Sequence, residues 1–123
     1  MTCTIFQRRL ALLVAGVLCG AAMLLVAQEY SRARDLVAKV QQDLQKAADF
    51  TRNKEKERDR YHDVQRRLSD FDRDLARGKF DKGKLDGAID DLKDVVKNNT
   101  LESHDRDTLT EDLESLRILR DIR

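Results

Sequence analysis

"TRNKEKERDR", Thr51–Arg60, is ten residues without an aliphatic or aromatic side chain, set between two amphipathic stretches. Whether a helix runs through it or breaks in it decides the fold. On its N-terminal side Tyr30, Ala33, Val37, Val40, Leu44 and Ala47 recur at steps of three and four, the spacing of one helical face. On its C-terminal side the pattern returns as Tyr61, Val64, Leu68, Phe71 and Leu75. Val40, Ala47, Tyr61, Leu68 and Leu75 are separated by multiples of seven, so the same face reappears across the gap. That continuity predicts one helix of roughly 45 residues, about 70 Å long. Gly78, after Arg77, has the place and type of a C-terminal glycine cap.

Within Lys54–Arg60 the charges alternate in sign at every residue. Residues three apart are therefore opposite and residues four apart alike, and at about 0.2–0.5 kcal/mol per pair the two sets largely cancel. Acids interleave the bases, so the stretch is no nucleic-acid patch. It also lacks the glycine, proline and serine of a flexible linker. The reading that remains is a solvated helical bridge with no buried face, the point where the long helix would bend or fray.

Two shorter helices are predicted beyond it. Leu85, Ala88, Ile89, Leu92, Val95 and Val96 lie on one side of a helix capped by Asp81 and stopped at Asn98–Asn99. Gly87 weakens that helix by about 1 kcal/mol relative to alanine. Leu109, Leu113, Leu116, Leu119 and Ile122 form the apolar face of the last, with Ser103 as cap and arginines toward its end. Short connections make neighbours antiparallel, and Phe71 and Phe80 are the large core candidates.

The expected fold is all-α: one long N-terminal helix whose C-terminal third packs with two shorter helices as a small three-helix bundle. The expected divisions are a signal peptide or membrane anchor over 1–27, an extended amphipathic helix with its charged bridge over 28–60, and the bundle over 61–123. A chain of 123 residues with 38 % charged and 5 % aromatic residues and no proline suits such an architecture. Ala33, Val37, Val40, Leu44 and Ala47 then have no partner within the chain. An unpaired apolar stripe of this kind seeks a second copy, another protein or a membrane.

Arg8 and Arg9 precede an uncharged apolar run from Leu10 to Ala27, the order that secretory machinery reads. Cleavage after Ala27 gives a periplasmic or secreted protein. Retention of the run, close to the ~20 residues a span needs, gives an inner-membrane anchor. Membrane contact is expected only through residues 10–27, and only if they are kept. From Gln28 onward the chain has one more acid than base. Cys3 and Cys19 both lie in the leader, so the exported part has no disulfide framework. Lipid on Cys19 is disfavoured by bulky Leu18 before it.

Candidate chemistry is sparse. His62 and His104 fall on different helices. Asp70, Asp72 and Asp74 alternate as in a calcium loop, but Leu75 replaces the required glycine and Asp81 the closing glutamate. Asn98–Asn99–Thr100 is both a glycosylation acceptor pattern and a helix end. No catalytic, metal or cofactor-binding residue is assigned, no cofactor is expected, and nucleic acid is excluded as a partner. "LTEDL" resembles the Leu-Thr-x-x-Gln motif of the small periplasmic helical chaperones of the Spy-like family at Leu109 and Thr110, with Leu113 in place of glutamine. Covering a few residues, the likeness implies only that a short exported helical protein can act as a chaperone or stress sensor without a catalytic site. The functional expectation is an exported, non-enzymatic protein acting through protein contacts or self-association along the stripe. The alternatives are a periplasmic chaperone or envelope-stress accessory and a membrane-tethered spacer.

Overall fold

The computed structural model describes residues 30–50 and 54–122. Residues 1–32 and 33–123 form separate units; of the first only Tyr30, Ser31 and Arg32 are described, and they are helical. The run Leu10–Ala27 lies outside the described residues. Among those described, no strand occurs and no helix is long and apolar enough to cross a membrane. The described residues form four helices: α1 (residues 30–50), α2 (Glu55–Ala76), α3 (Lys82–Asn98) and α4 (Ser103–Asp121).

The single long helix is corrected. Lys54 has extended backbone (φ −109°, ψ 102°), and α2 begins afresh at Glu55. The stripe is the physical reason. A straight helix would leave Ala33, Val37, Val40, Leu44 and Ala47 in water; folded back, all five are 0–3 % exposed. Apolar burial at about 25 cal/mol per Å² outweighs the weak pairwise terms that would keep the charged stretch helical. The return is antiparallel. Arg34 Nε donates to Asp72 at 2.9 Å, Gln41 to Ser69 at 3.0 Å, and Gln65 to the Gln41 carbonyl at 2.9 Å. The expected boundary after Arg60 accordingly falls inside α2.

The exit from α2 is as the glycine suggested. Gly78 has φ +78°, Lys79 N–H donates to the Asp74 carbonyl and Gly78 N–H to the Leu75 carbonyl, the paired bonds of a Schellman ending. Phe71, fully buried, meets Phe80 edge-on with ring centroids 5.3 Å apart. Phe80 itself is half-buried. Asp81 then caps α3 by accepting from Lys84 N–H at 3.1 Å.

α3 returns along α2, with Lys84 on Asp74 (2.7 Å) at one end and Arg67 on Asp91 further along. Gly87 has a use there. A Cβ at that position would stand 2.6 Å from Arg67 Nη1, so glycine gives the guanidinium room to cross the seam. α4 runs back along α3, Arg106 donating to the Val96 carbonyl and Arg120 to Asp86 at 3.4 Å. It begins one residue from expectation, with Glu102 at the N-cap position and Ser103 inside the helix. Lys39 to Asp112, 2.8 Å, links α1 to α4. The core is the sum of the stripes: α1's five residues, Val64, Leu68, Phe71 and Leu75 of α2, Leu85, Leu92 and Val95 of α3, and Leu109 and Leu116 of α4.

Candidate functional site

The stripe chosen from the sequence as an interaction surface is the inner face of α1. Val40, Leu44 and Ala47 are 0 % exposed and Val37 1 %. The residue types were read correctly as apolar and one-sided; their lack of an intramolecular partner is corrected, because α2 and α4 stand over the same helix. What α1 leaves at the surface is different. Phe50 at its end is 54 % exposed, and on α4 Ile118 and Ile122, one turn apart, are 55 % and 72 % exposed. Leu109, Leu113 and Leu116 keep the predicted inward face of α4, but the face turns outward before Ile122.

The charged stretch has a buried face after all. Glu57 continues the α2 stripe one step beyond Tyr61 and is 7 % exposed. Its Oε1 accepts the Thr100 N–H at 2.6 Å, and its main-chain carbonyl accepts from Asn99 Nδ2 at 3.2 Å. Arg60 donates to Asn99 Oδ1 at 3.0 Å and Lys54 to Thr100 Oγ1 at 2.8 Å. Four polar contacts thus dock the start of α2 onto the α3–α4 connection. They also account for two residues of the acceptor pattern: Asn99 is 3 % exposed in extended backbone, and Thr100 is held through both its amide and its hydroxyl. Asn98 remains exposed.

The other candidates stay apart. His62 and His104 are both exposed, and among the described residues no hydrogen bond or ion pair joins them. Asp70, Asp72 and Asp74 lie on a helix, each beside a different cation: Arg73, Arg34 and Lys84. The hydrogen bond from Lys84 holds the Asp74 carboxyl below its ordinary pKa. Among the described residues no group of three or more histidine, cysteine or acidic side chains is arranged to hold a metal ion. An open groove of about 320 Å³ between α1 and α2 is lined by Leu44, Ala48 and Tyr61 and by Asp49, Arg58 and His62.

One constellation escaped the sequence. Lys39 and Asp43, one turn apart on α1, meet Asp112 of α4: Lys39 Nζ lies 2.9 Å from Asp43 Oδ2 and 2.8 Å from Asp112 Oδ1. Asp112 is 1 % exposed, and burial above all pushes its carboxyl up to about 6. Asp43 is pushed up by burial too, but hydrogen bonds from Asp112 and Lys39 prevail and leave it below its ordinary value. The available signal was positional. Counted from Leu109, Asp112, Leu113 and Leu116 stand at offsets of 3, 4 and 7, so Asp112 falls on the apolar face where an aliphatic side chain belongs.

No protein-family model matches the chain, and no curated protein or solved structure matches it either. The functional reading therefore rests on the residues themselves.

Proposed function

We propose that the chain is an exported, non-enzymatic helical protein that works through protein contacts, with self-association as the first of them. Export is supported by Arg8 and Arg9 ahead of the uncharged run Leu10–Ala27. Ile118 and Ile122 carry the contact reading. Two large aliphatic side chains, more than half exposed and adjacent on one helix face, are what a protein interface covers. They take over the role expected of the α1 stripe, which is spent on the core. A client-binding chaperone would need a surface other than that stripe for the same reason. A tethered spacer depends on residues 10–27 being kept.

Sedimentation across a dilution series tests the contact. The natural chain is expected to associate as concentration rises, and the Ile118→Asp, Ile122→Asp double variant to remain monomeric with an unchanged melting temperature, because both positions already face water. A concentration-independent monomer for the natural chain refutes self-association. The mass of the mature protein tests the leader separately: a chain beginning at Gln28 is secreted or periplasmic, whereas one retaining Leu10–Ala27 is anchored.

A further inference from the structure

Asp112 is a carboxyl group enclosed between α1 and α4. Oδ1 accepts from Lys39 Nζ at 2.8 Å, but Oδ2 is buried with no hydrogen-bond donor from the protein. The same ammonium also serves Asp43, so two carboxylates share one cation and one negative charge is left over in a poorly solvated seam. Lys39 Nζ gathers both carboxyl groups around one cation, within 2.9 Å of an oxygen of each, so a proton taken up by either group would also act on the other. A single proton thus cancels the surplus charge and supplies the hydrogen bond that two bare carboxylates lack.

We propose that Lys39, Asp43 and Asp112 form a proton-operated clasp between α1 and α4, closed when one proton is shared by the two carboxyl groups and loosened when it leaves. The charges acting on the pair are Lys39 and, more distantly, Lys46, both on α1. Among the described residues neither α2 nor α3 places a hydrogen bond or ion pair on Asp43 or Asp112, and Lys39 to Asp112 is the ion pair that joins α1 to α4. Lys39 stays charged throughout, since hydrogen bonds to Asp112 and Asp43 raise its pKa above the ordinary lysine value. The direction follows from proton counting. Asp112 titrates at about 6 in the folded chain against 3.8 ordinarily, so the docked state binds more protons between those values and docking weakens as pH rises through about 6.

Hydrogen exchange on the full chain, corrected for intrinsic rates, reads the clasp at the α1 amides from Val37 to Ala47. Between about pH 5 and about pH 7 their protection should fall about tenfold, the ratio that such a titration gives. In Asp112→Asn the amide keeps an oxygen for Lys39 and offers an N–H toward Asp43, imitating the protonated acid, and the step should vanish. A natural chain whose α1 protection is the same at both pH values overturns the clasp, as does a step that persists in Asp112→Asn. Should that variant not fold, carboxyl NMR on the natural chain decides. An Asp112 midpoint near 6 that coincides with shifts of the α1 amides supports the clasp, and a midpoint below about 4.5 overturns it.

Discussion

Changing Val40 and Leu44 together to aspartate will unfold the protein. Both side chains are 0 % exposed on the inner face of α1. Each substitution forfeits the burial of an aliphatic group, about 1.5–3 kcal/mol, and installs a carboxylate at a position 0 % exposed. Such a carboxylate costs several kcal/mol more, whether it stays charged or takes up a proton. The sum for two adjacent sites reaches the whole stability of a typical small domain, about 5–15 kcal/mol. Circular dichroism should show loss of the cooperative thermal transition. Leu44→Ala alone should lower stability by about 2–5 kcal/mol and leave the fold standing. A double variant that stays folded with an unaltered melting temperature would return the stripe to the surface. The contrast with Ile118 and Ile122 matters, because the same charge placed at those exposed positions should cost almost nothing.

The difference between those two pairs was not legible from periodicity. Val40 and Leu44 sit on a perfect stripe, and so does Ile122 relative to Leu119; only the first pair has helices over it. Periodicity is a property of one helix, whereas burial depends on which other helix arrives. The heptad agreement of Val40, Ala47, Tyr61, Leu68 and Leu75 shows the limit. All five are indeed buried, which a straight helix against an external partner and a helix folded back on itself would both require. The deciding contacts, such as Arg34 with Asp72 and Lys39 with Asp112, join residues far apart in sequence and leave no local mark. Local chemistry was legible where it is self-sufficient. Asp81 caps α3 through its own neighbour Lys84, Gly78 takes the positive φ that ends α2, and α3 stops at Asn98. Asn99 marks the middle case. The stop was readable, but not that the Asn99 backbone is extended there and its side chain is drawn onto α2. The buried acids Glu57, Asp74 and Asp112 share a signature, each occupying a stripe position beside aliphatic residues. An acid in that register either ends the stripe or is buried with a partner, and the partner comes from another helix.

Asn99 is where the docking of the charged stretch can be broken with one change. Its side chain donates to the Glu57 carbonyl and accepts from Arg60, in a site 3 % exposed. Asn99→Leu has similar volume but can do neither, and it leaves the Arg60 guanidinium without its acceptor in a half-buried position. Two hydrogen bonds at about 0.5–1.5 kcal/mol each, one of them to a charged group, put the expected loss at about 1–3 kcal/mol. For a chain of this size that is a fall of roughly 4–12 °C in melting temperature. The distribution of the effect separates docking from general destabilisation. The Thr100 amide, held by Glu57 Oε1 at 2.6 Å, should exchange faster in Asn99→Leu, because the same connection is no longer pinned to α2. Glu57→Ala removes the acceptor itself and should expose the Thr100 amide further, while amides in the middle of α3 follow only the global change. If Thr100 exchange in Asn99→Leu rises no more than that of the α3 interior, the charged stretch is not what holds the α3–α4 connection in place.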